Sequence, residues 1–347
     1  KVLVLGSTPL KYMHSVFFYD EDGRQVQVRT QNYVNGLNVN TVQYSWSGQP
    51  LVVVSQLQKG ETNPDQHTVI TKTFYDELGR VTSSKKTVTS SMNGVVISKP
   101  ETEIYNQQYD QIGNLKKQSY PLVDESLEYD YNILGFSLGV NRNYVAGGND
   151  HKFGYEIGYD KATTVIPGAT FQNLFYNGNI GGIIWRSTGD GEKRKYDFTY
   201  DNVSRLKNAN FTQHTDGSFN RNANLNFSVE NLDYDLNGNI KSMNQYGWKP
   251  GSAAGSPSVL IDQLTYTYHI NSNKLKNVID AVNDPKTKMG DFRSSQKYMT
   301  DLGTKSNTAE DYLYDVNGNL VRDLNKDIGT ATTNGIEYNY MNLPELI

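Results

Sequence analysis

One seven-residue cassette, Tyr-Asp-x-x-Gly-Arg/Asn followed by an aliphatic residue, recurs down this chain and constrains its fold more than any other feature. The full copy at 75–81 reads Tyr75-Asp76-Glu77-Leu78-Gly79-Arg80-Val81. Further copies start at Tyr109-Asp110 with Gly113, at Tyr234-Asp235 with Gly238, and at Tyr314-Asp315 with Gly318. A chain built from many similar hairpins must bury their faces against one another, so the repeat predicts architecture before chemistry.

The residue types fit a three-residue hairpin loop that ends in a glycine bulge. Asp76 closes one strand, Glu77 and Leu78 fill a type I turn, Gly79 takes the left-handed conformation and Arg80 opens the return strand. A β-carbon in that conformation costs roughly 1 to 2 kcal/mol, hence glycine. The aspartate carboxylate accepts a backbone N–H two residues on. This register sets Tyr75 opposite Val81 on an apolar face and Asp76 opposite Arg80 on a charged one.

Two departures predict looser turns. Ser204 stands for glycine after Tyr200-Asp201, and Gln25 follows Arg24 where an aliphatic residue is expected. The loop 268–275 is one residue longer, with Asn273 the expected left-handed residue. Stretches such as Thr265-Tyr266-Thr267-Tyr268 alternate with period two, as half-buried strands do. The expected class is all-β, with antiparallel hairpins in a continuous curved or spiralling sheet and very little helix.

Thirty-four residues separate Tyr75 from Tyr109, Tyr200 from Tyr234 and Tyr234 from Tyr268, but 22 separate Tyr109 from Tyr131 and 46 separate Tyr268 from Tyr314. Unequal periods suit a meandering antiparallel sheet better than a solenoid of equal rungs. Residues 1–347 read as one continuous segment, with loops or insertions near 139–151, 248–257 and 283–306.

The formal charge is −4 with no basic run, which argues against nucleic acid as a partner. No apolar run approaches the roughly eighteen residues of a membrane span. Cysteine is absent, so neither disulfides nor thiolate chemistry is available. The chain opens on Lys1 and closes on Leu346-Ile347 in what reads as mid-repeat. Both ends are expected to be cuts in a longer polypeptide.

These residues resemble the Rhs or YD-repeat family. The segment Phe175-Tyr176-Asn177-Gly178-Asn179-Ile180 with Trp185 is similar to the family's YNGNI-to-Trp stretch. Tyr200-Asp201-Asn202-Val203-Ser204-Arg205-Leu206, ending in Ala209-Asn210-Phe211, is similar to its YDxxxRLxxAxF stretch. Residues 314–327 and 338–347 resemble the block before the family's core. The resemblance implies a large bacterial protein, secreted or on the cell surface, whose YD hairpins form a β shell around a C-terminal, toxin-like effector. Teneurins use a related shell in adhesion. The implied partner is the remainder of the same polypeptide, with secretion machinery or a cell-surface component beside it. The family's cleavage and toxicity attach to no residue here.

Candidate chemistry is thin, and the chain is expected not to be an enzyme. His14, His67, His151, His214 and His269 form no zinc spacing, and neither a nucleophile elbow nor a phosphate loop is present. Asp-x-Asn-Gly-Asn at 235–239 and 315–319 resembles half a calcium loop, but the glutamate expected six residues after the glycine is Asn244 or Leu324. An Asx turn with a glycine bulge explains the same residues. Trp46, Trp185 and Trp248 would stack on sugars if exposed, which keeps an adhesin or glycan-binding module as the alternative. No catalytic, cofactor-binding or metal residue is assigned. Tyr75, Asp76, Gly79, Arg80, Tyr109, Asp110, Gly113, Tyr200, Asp201, Tyr234, Asp235, Gly238, Tyr314, Asp315 and Gly318 are expected to be structural turn residues.

Overall fold

The computed structural model describes residues 2–4, 8–60, 63–248, 257–282, 292–303 and 305–347. Strands take up 53% of the chain and helix 5%, so the protein is all-β, with antiparallel pairing throughout. The chain divides into two compact units, Lys1–Asn141 and Arg142–Ile347.

In the first unit ten strands, from Ser15–Tyr19 to Ser137–Val140, each pair with the next in sequence. The longest are Asn63–Tyr75, Val81–Met92 and Val95–Tyr109. Sequences such as Val81-Thr82-Ser83-Ser84-Lys85-Lys86-Thr87-Val88 are rich in β-branched and hydroxyl residues, which suit a pleated surface wetted on both sides. Few of their side chains are buried. A small hairpin, Val2–Val4 with Lys11–Met13, precedes the meander.

The second unit runs from Phe153–Gly158 to Leu275–Asp280 in a similar antiparallel series, followed by the two-stranded pairs Tyr312–Tyr314 with Leu320–Asp323 and Glu337–Tyr338 with Pro344–Leu346. Neither series curls round to pair its first strand with its last. Val145, Ile166, Phe171 and Ile184 form a buried cluster in the second unit, with Val165, Ala169 and Phe219 packed on it. Phe171 lies on the cross-strand pair Gly158 and Gly182, where an added β-carbon would come within 2.3 Å and 2.6 Å of the ring. Only glycine leaves that space.

The stretch 139–151 was expected to hold a loop or insertion. It holds the helix Arg142–Ala146, and Val140, Tyr144, Val145 and His151 are buried. Long-range partners pin it down. Arg186 donates to the carbonyls of Tyr144 (2.9 Å) and Gly148 (2.8 Å), Lys193 donates to Ala146, and Arg142 pairs with the buried carboxylate of Glu156. Within 283–306 the described part contains a second short helix, Gln296–Leu302, whose first turn is capped by the Ser295 hydroxyl accepting from the Tyr298 N–H. The predicted 248–257 loop lies, between its first and last residues, outside the described residues.

Candidate functional site: the linked hairpin tips

Each cassette folds as the turn its residues dictate. Tyr75 faces Val81, Tyr109 faces Leu115, Tyr200 faces Leu206, Tyr234 faces Ile240 and Tyr314 faces Leu320, each beside a one-residue irregularity. The glycine after the turn has positive φ in every clean copy: 79° at Gly79, 94° at Gly113, 89° at Gly238 and 89° at Gly318. The Asp76 N–H donates to the Arg80 carbonyl and the Gly79 N–H to the Asp76 carbonyl, both at 2.9 Å.

The carboxylate organises the tip. In Asp76 one oxygen accepts from the N–H groups of Leu78 (3.0 Å) and Arg80 (2.9 Å), while the other accepts from the Arg80 guanidinium at 2.7 Å. Asp235 repeats this with the amides of Asn237 and Asn239 and the Asn239 side chain. Asp76 and Asp201 are held below the usual aspartate range first by the backbone N–H of Arg80 and Arg205. Asp235 is lowered first by the Asn239 side chain. At Asp110 and Asp315 desolvation pushes upward, but bonds from Asn114 and Asn319 outweigh it.

Two of the expected departures keep the backbone hydrogen bonds of the clean turn. Ser204 adopts φ 64° and keeps both backbone bonds of its hairpin, and the turn after Asp20 keeps the same pair. In the longer loop the left-handed residue is Asn271, φ 57°, rather than Asn273. Asn273 instead accepts at its side-chain oxygen from Asn237 (3.0 Å) and Asn239 (2.9 Å) of the preceding hairpin.

That contact belongs to a general pattern, in which each tip is tied to the one before it. The tyrosine hydroxyl of a cassette donates to the backbone carbonyl of the return strand in the previous cassette. In the first unit Tyr44 bonds Gln25 (3.1 Å), Tyr75 bonds Pro50 (2.9 Å), Tyr109 bonds Val81 (2.9 Å) and Tyr131 bonds Leu115 (3.1 Å). In the second, Tyr200 bonds Ile180, Tyr234 bonds Leu206, Tyr268 bonds Ile240 and Tyr338 bonds Leu320, at 2.7 to 2.9 Å. Burial raises the phenols of Tyr75, Tyr200, Tyr234 and Tyr268, which keeps them protonated as donors.

The choice of Arg or Asn after the glycine has the same explanation. Arg80 lies over the Tyr109 ring at 4.4 Å and Arg205 over Tyr234 at 4.7 Å, each worth about 0.5 to 1 kcal/mol at an exposed site. Arg205 also donates to the Asp235 carbonyl at 3.0 Å. In two copies where Asn replaces Arg, its amide reaches the next tip instead: Asn319 donates to Asn342 (3.0 Å) and Asn179 to Ser204 (3.1 Å), whereas Asn114 donates to Asp110 of its own tip.

Outward from this seam, the tips carry apolar side chains. Trp46, Ile133, Leu236 and Val316 are fully exposed, and Leu78, Ile112, Val203, Ile270 and Tyr340 are largely so. Of the three tryptophans, Trp185 packs within the sheet, stacked on Tyr196 at 5.5 Å, and Trp248 is partly exposed. Among the described residues no group of three or more His, Cys, Asp or Glu side chains could hold a metal ion. The oxygens of Asp235 and Asp315 that would face calcium accept N–H bonds. No described helix is long and apolar enough to cross a membrane, which leaves membrane β-barrels unaddressed.

A second polar centre, away from the tips, escapes sequence reading. Lys305 and Asp311 pair at 2.7 Å, with side chains 7% and 0% exposed, beside Ser294, Tyr298 and Asn325. A cavity of about 230 Å3, lined in part by Phe292, Ser294, Met299 and Lys305, adjoins them. Their spacing in sequence follows no motif; the one hint is a lysine and an asparagine in an otherwise exposed-looking stretch.

No protein-family model matches the sequence, and a search of curated proteins finds no relative.

Proposed function

We propose that this chain is a wall segment of a large secreted or cell-surface protein of the Rhs or YD-repeat type, enclosing or presenting a C-terminal polypeptide of that same protein. The observation that carries this reading is the seam of tyrosine hydroxyls, each bonded to the preceding hairpin. Such a seam extends a sheet hairpin by hairpin, tolerates strands of unequal length, and puts the recurring Tyr, Asp, Gly and Arg or Asn of the cassette to structural use. Enclosure by backbone-paired strands is steric and requires no catalytic group. Limited proteolysis of the full-length protein tests it: the C-terminal segment should resist cleavage in the intact protein and be cut when expressed alone. A segment equally labile in both forms contradicts enclosure.

A surface-adhesin reading is favoured by a separate observation, the exposed apolar side chains at the tips, Trp46 among them. Binding on a glycan array that is lost in Trp46→Ala would support it, and an array with no binding would remove it.

A further inference from the structure

Lys305, Asp311 and Asn325 converge from three separate segments of the second unit: the chain after the helix Gln296–Leu302, the residue before the strand Tyr312–Tyr314, and the short 3-10 helix Leu324–Lys326. The Lys305 Nζ donates to Asp311 Oδ2 at 2.7 Å and to Asn325 Oδ1 at 2.8 Å. The same Asp311 oxygen accepts from Asn325 Nδ2 at 3.1 Å. One carboxylate therefore touches both the amine and the amide nitrogen. Ser294 donates its hydroxyl to Asn325 Oδ1 at 2.7 Å, and Tyr298 donates to Asp311 Oδ1 at 2.9 Å. The Phe292 and Tyr298 rings flank Nζ at 5.7 Å and 5.6 Å. Asp311 is fully buried and Asn325 is 2% exposed.

We propose that this centre is a self-modification site, in which Lys305 and Asn325 join through an intramolecular isopeptide bond with Asp311 as proton carrier. The arrangement meets each need of that amide exchange. An amine attacks only when unprotonated, and burial pulls the Lys305 ammonium downward, with Asp311 opposing. With both side chains buried, proton transfer from Lys305 to Asp311 replaces a buried ion pair with two neutral groups. The freed lone pair attacks Asn325 Cγ, and the oxygen that gains charge already accepts the Ser294 hydroxyl. Asp311 then passes its proton to Nδ2, with which it is already in contact. The C–Nδ2 bond breaks, ammonia leaves, and the attacking nitrogen releases its remaining extra proton to the Asp311 carboxylate; that proton departs with the ammonia as ammonium. One C–N bond forms and one breaks, with no oxidant, reductant or cofactor. Fixed geometry supplies the proximity that makes such an exchange feasible without an external enzyme.

Intact-mass spectrometry of the purified chain, followed by peptide mapping, is the test. The mass should fall short of the sequence mass by one ammonia, and the peptides holding Lys305 and Asn325 should be recovered as one branched species. Lys305→Arg keeps a cation beside Asp311 but removes the attacking amine, and Asp311→Asn removes the proton carrier; both should restore the sequence mass. A full sequence mass in the unaltered protein overturns the proposal. So does an ammonia deficit that persists in Lys305→Arg, because it would belong to an Asn-Gly succinimide such as one at 237–238.

Discussion

In the first unit Val140 is the only described apolar side chain that is buried, whereas the second buries Tyr144, Val145, Ile166, Phe171, Ile184, Phe211, Leu232, Ile261, Leu264 and Val278 among others. Phe17, Phe18, Leu37, Leu57 and Phe74 of the first unit stay well exposed. Yet both units carry the same tips, with the same carboxylate clamp and the same tyrosine bond to the preceding hairpin. The tip is therefore complete in itself, specified by local turn chemistry and its neighbour rather than by a core beneath it. The first unit depends on ladders and tips, while the second adds side-chain packing.

The largest expected effect separates the two directly. Phe171→Ala empties the space over Gly158 and Gly182 and should destabilise the second unit by about 3 to 5 kcal/mol, leaving the first unit's unfolding unchanged. Chemical denaturation followed by hydrogen exchange resolves the units; a matching loss in the first would erase the distinction.

Turn glycines come next. Gly238 and Gly318 sit at φ 89° with open space or a flexible lysine nearby, so a side chain there meets backbone strain rather than a clash. Gly238→Val and Gly318→Val should each cost about 1 to 2 kcal/mol. Ser204→Val should cost less, because position 204 already tolerates a side chain at φ 64°. Equal shifts in melting temperature at the three sites would show the turn assignment to be wrong.

The smallest effect is electrostatic. Asp76 titrates below the usual aspartate value of 3.8 because its charged form is bonded in the folded tip. A depressed folded value adds stability above that ordinary value, and the gain fades as pH falls through the folded one. The Asn132 and Asn339 side chains accept the same two backbone bonds without charge. Asp76→Asn should thus lower the melting temperature slightly at neutral pH and by less near pH 3; an equal loss at both would assign the effect to shape alone.

Much of the tip was legible in the sequence because its chemistry is local. Asp, Gly and the Tyr–aliphatic pair lie within seven residues, and each has one conformational reason to be there. The acceptor of the tyrosine hydroxyl was not legible, since it sits on another hairpin at a separation set by strand length. Gly147 and Gly148 read as punctuation, but distant Arg186 and Lys193 bond the carbonyls of Tyr144, Ala146 and Gly148 within the second unit. In the 268–275 loop two asparagines competed for one left-handed position, and the one that lost it, Asn273, serves the neighbouring tip. The Lys305, Asp311 and Asn325 centre has no local signature because three segments assemble it.

The seam of tyrosines is most directly tested by residue-resolved hydrogen exchange on Tyr109→Phe. Removing that hydroxyl, worth about 1 kcal/mol as a hydrogen bond, should speed exchange at the amides of Gly79 and Arg80 in the preceding hairpin as well as at Gly113 and Asn114 in its own. Faster exchange confined to the 109–115 hairpin, with Gly79 and Arg80 unchanged, would contradict a sheet tied tip to tip.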